Sequence, residues 1–190
     1  MSEGANPAQR PDVGSAPAAP RLALVVMGVS GSGKTTVGQA LASRLGLAFV
    51  DGDDLHPPAN VAKMAAGTPL DDADRWPWLD RVGAALANTT AYPAGLAIAC
   101  SALRRVYRDR IRAAASEGLR FLYLAADEAE MVRRLEGRPH HYMPPSLVHS
   151  QFAALEAPDP VEEPDVLAVS ASGSPDDKVE ATVRWLGSGG

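Results

Sequence analysis

The sequence predicts an α/β protein: a mainly parallel, five-stranded sheet with helices on both faces, three layers in all. Three observations carry this expectation. Short apolar runs alternate with helix-patterned segments, the arrangement that builds βαβ units. The first apolar run, residues 22–27, leads straight into a complete G-x-x-x-x-G-K-[ST] loop and then a helical pattern, the context a phosphate-binding loop requires. The 190 residues, 46% hydrophobic and 22% charged, suit one domain with a sizeable core.

In chain order, strands are expected at 22–27, 48–50, 96–100, 121–125 and 166–169. Helices are expected at 34–45, 58–66, 74–89, 104–117, 128–135, 146–155 and 176–185. The domain spans 21–187. Residues 1–20, rich in Pro, Ala, Gly and Ser, read as a disordered tail that lacks the basic start and apolar core of a secretory signal. Ligands of parallel α/β sheets bind beyond the carboxyl ends of the strands, so chemistry is sought there.

The loop after the first strand provides the donor site. Gly28, Gly31 and Gly33 allow backbone angles that a Cβ would forbid, so successive N–H groups can face phosphate oxygens. The following helix adds its positive N-terminal end. Lys34 can reach the β- and γ-phosphates, and the Thr35 hydroxyl can ligate Mg²⁺. The nucleotide-binding set is therefore Gly28, Val29, Ser30, Gly31, Ser32, Gly33, Lys34, Thr35 and Thr36.

The second strand ends in Asp51-Gly52-Asp53-Asp54. Two carboxylates at i and i+2 can project to one side. One can hold Mg²⁺ or its water, and the other can take a proton from an acceptor hydroxyl. An acidic turn capping the next helix is the competing account. The third strand ends Ala99-Cys100-Ser101 with no carboxylate, so a metal that needs one finds its best candidate in Asp51.

Cations follow on separate segments. Arg75 sits behind three acids, either as a surface ion pair or as a clamp on a substrate carboxylate. Arg104 and Arg108, four apart, share a helix face that is either simply solvated or, as its place at the end of the third strand favours, an anion-binding face. Residues 133–145 form a basic segment broken by Gly and Pro, able to close over a nucleotide and exclude water. His140 and His141 lack further ligands at metal-binding spacing.

Composition narrows the classes. A net charge of −5 argues against general nucleic-acid binding, and no apolar run approaches a bilayer span. The single cysteine, Cys100, ends an apolar run and reads as a core residue; one cysteine excludes an intrachain disulfide and fits a cytoplasmic location.

The blocks Met27–Lys34, Asp51-Gly-Asp-Asp-Leu-His-Pro57, Asn60–Met64, Gly67–Leu70, Asp72–Arg75 with Pro77–Leu79, Cys100–Leu103 with Tyr107–Asp109, and Ser150–Phe152 with Leu155-Glu156 together resemble the gluconokinase family, in order over residues 22–170. The resemblance implies a phosphate-loop kinase fold like that of the nucleoside monophosphate kinases, with a lid segment. It also implies ATP with Mg²⁺, transfer of the γ-phosphate to the 6-hydroxyl of D-gluconate, and often a homodimer. By resemblance, Lys34, Asp53 and Arg138 are catalytic. Thr35 and Asp51 hold the metal, and Arg134 lies near the adenine. Asp53, His56, Lys63, Arg75, Arg104, Tyr107, Arg108 and His141 form the acceptor site.

Three positions depart from the family pattern: Arg104 for a frequent Lys, His140 for Gly, and Tyr142 for Phe. Two other classes remain open at this point. One is another small-molecule kinase such as a shikimate kinase, although the chain lacks a Gly-Gly-Gly run after the third strand. The other is a nucleotide-binding regulator without turnover.

Overall fold

The computed structural model describes residues 21–88, 90–115, 118–136 and 145–189. The expectations for residues 1–20 and for Arg138, His140, His141 and Tyr142 lie outside these. Five strands, β1 (Leu22–Met27), β2 (Ala48–Asp51), β3 (Gly95–Ala99), β4 (Leu119–Ala125) and β5 (Val166–Ser170), form one sheet of order β2-β3-β1-β4-β5. Every pairing is parallel. Seven α-helices accompany them among the described residues: α1 (Lys34–Leu45), α2 (Pro58–Ala65), α3 (Asp72–Ala87), α4 (Arg105–Ala114), α5 (Glu128–Glu136), α6 (Pro145–Ala154) and α7 (Pro175–Gly187).

The central strand explains the layering. β1 reads as an unbroken apolar run because both of its faces are covered. Ala23, Val25 and Met27 join Ile98 and Phe121 of the sheet against Trp78, Leu79 and Val82 of α3 and Ile111 of α4. Leu24 and Val26, on the opposite face, join Ala97 and Leu122 against Val37 and Leu41 of α1 and Val179 of α7. A third, smaller cluster of Val29, Leu103, Met131 and Val148 lies beyond the strand ends. It ties the phosphate loop to α5 and α6.

The elements depart from expectation mainly at their ends. α3 begins two residues early because Asp71 and Asp74 form a reciprocal capping box. The Asp71 side chain accepts from the Asp74 N–H at 2.9 Å, and the Asp74 carboxylate accepts from the Asp71 N–H at 3.0 Å. A single 3-10 turn, Gly52–Leu55, follows β2 where only a turn was expected. α4 starts at Arg105, leaving Arg104 as its N-cap residue.

Candidate active site

The donor half is built at the end of β1. Gly28 adopts φ +143°, and a Cβ there would meet Leu124 O at 2.9 Å and Ser32 Oγ at 3.0 Å, so only glycine fits the loop's first turn. Gly33, at φ +94°, is the N-cap of α1; it offers no side-chain cap, and the first turn of α1 holds no acid. The N-terminal donors of this helix thus face an anion-sized need without a protein carboxylate. Ser32 Oγ is buried with no partner among the described residues, and Lys34 Nζ folds back to donate to Val29 O at 3.0 Å. Burial pulls the Lys34 ammonium below its ordinary pKa, with the Asp53 and Asp51 carboxylates and Cys100 opposing that pull. A hydroxyl without a partner among the described residues, uncapped amides and a lysine resting on a carbonyl fit a polyphosphate. Gly31 belongs to the same loop, and Thr36 lies exposed on α1.

Ser30 has a partner far along the chain. Its N–H donates to Gln151 Oε1 at 2.7 Å, and Gln151 Nε2 donates to Ser30 Oγ at 3.0 Å. Gln151 appeared in the sequence only as a matching letter; no local motif announces a glutamine that grips a loop 121 residues away.

Asp51 brings β2 to the phosphate loop. The Thr35 hydroxyl donates to Asp51 Oδ2 at 2.9 Å, while Asp51 Oδ1 accepts the Asp53 N–H at 3.1 Å. Capping and contact with the loop are therefore both present in one side chain. Between the two aspartates, a Cβ on Gly52 would lie 2.4 Å from Ala99 O, so the turn packs its backbone directly on the end of β3. Trp78 Nε1–H locks it with a 2.7 Å bond to Gly52 O. The Asp53 side chain is left exposed beside the loop. Among the described residues no cluster of three or more His, Cys, Asp or Glu could hold a metal alone. Thr35 and Asp51 supply two hard oxygens, which suits an ion that completes its shell with phosphate and water.

The residues expected to form the acceptor half meet at the end of β3 and the start of α3. Asp72 is its centre, unremarked in the sequence beyond its place in a matching block. Tyr107 OH donates to Asp72 Oδ1 at 2.5 Å and Arg104 Nη1 donates to Oδ2 at 2.6 Å. Arg75 approaches Asp72 at 4.0 Å and reaches Tyr107 OH at 3.4 Å. The Tyr107 hydrogen bond is the main cause that holds the Asp72 carboxyl below its usual range; partial burial opposes it and Arg104 reinforces it. Both guanidinium groups also sit 5.5–5.7 Å from the Tyr107 ring centroid. The cluster is thus preassembled from α3 and α4, three of its members being expected acceptor residues.

The remaining candidates divide. The buried His56 ring stacks on Trp78 with centroids 4.3 Å apart and takes an Asn60 Nδ2 contact at 3.3 Å. Burial lowers its pKa, Asp53 opposes this, and Arg75 adds to it. Lys63 is paired to Asp74 at 2.6 Å on the surface. Arg134 pairs with Glu130 at 2.5 Å and reaches Ala171 O at 3.3 Å after β5. Cys100 is buried, and burial pushes its thiol up to about 12, so it is inert as a nucleophile.

Arg108 corrects an expectation. It does not share an anion-binding face with Arg104; it is 1% exposed. Its Nε and Nη2 donate to the Glu163 carboxylate at 2.7 and 2.5 Å. Its Nη1 donates to Ala102 O at 3.3 Å and to Leu103 O and Glu156 O at 3.1 Å. The i, i+4 spacing is real, but α4 rotates Arg108 into the core while Arg104 stays at the helix start. Arg108 holds the loop that carries Arg104. Ala102 in that loop has φ +40°, a strained conformation for a residue with a Cβ, and the guanidinium fixes its carbonyl.

Comparisons with known proteins agree with this geometry. A sequence model of the shikimate kinase family matches residues 30–157. The gluconokinase of Gluconobacter oxydans is 47% identical over 161 residues, 85% of this chain and 89% of that protein. The chain belongs to the gluconokinase family. The crystal structure of a gluconokinase from Sinorhizobium meliloti 1021 superposes with a TM-score of 0.75 at 43% identity, covering 84% of this chain and 87% of that one. A shikimate kinase from Aquifex aeolicus, 14% identical with a TM-score of 0.54, covers 88% of this chain and 98% of its own and shares the fold alone. The fold is that of the phosphate-loop kinases, and such a kinase takes a nucleotide substrate, typically with a divalent metal. No described helix is long and apolar enough to cross a membrane.

Proposed function

We propose that this protein transfers the γ-phosphoryl group of ATP to the 6-hydroxyl of D-gluconate, giving 6-phosphogluconate and ADP. The observation that carries this reading is the Thr35–Asp51 hydrogen bond. It sets the Asp51–Asp53 turn against the phosphate loop of a chain whose relatives are gluconokinases. In the step, the O6 lone pair attacks the γ-phosphorus, the bond from that phosphorus to the β–γ bridging oxygen breaks, and the O6 proton passes to Asp53. Lys34 and the α1 amides neutralise charge on the phosphates, as little covalent work falls to the protein in such transfers. Mg²⁺ held by Thr35 and Asp51 would neutralise phosphate charge and orient the γ-group.

Arg75, Arg104 and Tyr107 are assigned to the sugar acid, with Asp72 aligning them and His56 and Lys63 flanking. Arg134 is assigned to the adenine side. Arg138 and His141, outside the described residues, are assigned to the closing segment. A homodimer in the cytoplasm is taken as the working form, and light scattering of the purified protein tests the dimer. The reaction is tested by coupled ADP release with gluconate, shikimate, other sugar acids or no acceptor. ADP with gluconate alone is expected; ADP without any acceptor, or only with shikimate, overturns the reading.

A further inference from the structure

The two halves of the site are joined by a second connection, made by α6 and the residues just after it. At one end, the Gln151 amide makes two hydrogen bonds to Ser30 of the phosphate loop, at 2.7 and 3.0 Å. Five residues later, Glu156 grips the acceptor segment. Its N–H donates to Leu103 O at 2.9 Å, and its carboxylate accepts from the Arg105 N–H at 2.7 Å and from Arg104 Nε at 3.4 Å. Its carbonyl accepts from the buried Arg108. The space between is filled, because Val29 of the loop, Leu103 of the acceptor segment and Val148 of α6 share one apolar cluster, with Phe152 and Leu155 packed on it.

This geometry has a mechanical consequence. Packed side chains and hydrogen-bonded backbone do not deform continuously, so a change in the phosphate loop at Ser30 moves Gln151, and α6 carries it to Glu156. Glu156 caps the first turn of α4 from outside the helix, where Arg104 itself supplies no side-chain cap. We propose that Gln151 and Glu156 are a pair of positioning residues that couple occupancy of the phosphate loop to the placement of Arg104. On the function proposed above, nucleotide binding then sets the cation that meets the sugar acid. Neither residue touches the reacting atoms.

A direct bond, from the Gly28 N–H to Ser101 O at 3.3 Å, also links the halves, so the test must read the amides that belong to the α6 route. Those are the Arg105 and Glu156 N–H groups. Residue-resolved hydrogen exchange is measured on the full chain with and without a non-hydrolysable ATP analogue. In the parent protein the analogue is expected to slow exchange at Arg105 and Glu156 by about tenfold. In Gln151→Leu the analogue still protects the phosphate loop, but the effect at Arg105 and Glu156 falls below about threefold. Glu156→Gln, which keeps the shape at the other end, gives the same loss and serves if Gln151→Leu fails to fold. Unchanged protection in both variants, or none in the parent at those amides despite bound analogue, overturns the coupling alone. An analogue that does not bind the parent brings down the kinase reading and the coupling with it. In turnover, Gln151→Leu raises KM for gluconate about tenfold with KM for ATP nearly constant, a change that a smaller folded fraction, which lowers only the apparent kcat, would not produce.

Discussion

The donor and acceptor halves differ in how their charge is satisfied. The phosphate loop leaves donors unspent: Gly33 caps α1 with nothing, Ser32 Oγ has no partner among the described residues, and Lys34 leans on a carbonyl. The acceptor cluster has spent its own: Arg104 and Tyr107 both bind Asp72, and Arg104 also meets Glu156. On the proposed function, one half gains much from a ligand that is always a polyanion, and the other is held in shape before a smaller, singly charged acid arrives. Preorganisation here replaces raw positive potential, because each cation brought to the site has a carboxylate beside it.

The largest effect should come from the unspent side. Lys34→Ala is expected to cut turnover on the order of 10³-fold at saturating gluconate; a near-normal rate would erase the contrast. The next concerns the scaffold of the acceptor side. Glu163→Gln leaves Arg108 buried without its charge partner and should cost about 3–5 kcal/mol, read as a fall in the denaturant midpoint. A change below about 1 kcal/mol would mean that the buried pair is not what holds the Ala102–Arg104 loop. Asp53→Asn should lower kcat by about 10² with nucleotide affinity intact by calorimetry. Asp72→Asn keeps shape but removes the charge that aligns Arg104 and Tyr107. KM for gluconate should rise about tenfold while KM for ATP stays level; a lower KM for gluconate would show that Asp72 competes with the substrate.

The smallest effects are in pH. Burial pushes the Glu163 carboxyl up, but its bonds to Arg108 and Arg112 outweigh this and hold it at about 2. Its folded pKa lies below the ordinary 4.5, so its stabilisation is full above that value and is lost as pH falls toward 2. His56 also has a lowered folded pKa, but as a base it acts earlier. The unfolded chain protonates first, so stability declines as pH drops below about 6.5. Urea midpoints at pH 7 and 5.5 should differ less in His56→Gln than in the parent.

The contrast also explains what was legible in the sequence. The donor half is written in eight adjacent letters whose spacing is dictated by phosphate geometry, so Gly28–Thr35 could be placed at once. The sheet was legible because both faces of β1 are buried and the run stays apolar throughout. The acceptor half is assembled from three segments, 72–75, 104–108 and 156, and no short-range rule joins Asp72 to Tyr107 or Glu156 to Arg105. Arg108 shows the limit most clearly. Helical spacing put it beside Arg104, but burial is set by what packs on α4, and the carboxylate that claims it, Glu163, lies 55 residues away. Asp51 could be singled out because β3 ends without a carboxylate, and the structure puts its Oδ2 2.9 Å from the Thr35 hydroxyl.

The orphaned Ser32 hydroxyl has a consequence for the protein's lifetime. A buried polar group without a partner costs the fold about 1–3 kcal/mol, and a bound anion that supplies the partner returns that free energy as stability. At a hundredfold excess over Kd a ligand adds about 2.7 kcal/mol, which lowers the unfolded fraction about a hundredfold. A non-hydrolysable ATP analogue is therefore expected to slow proteolysis of the purified protein, read as a lower cleavage rate with the analogue than without it.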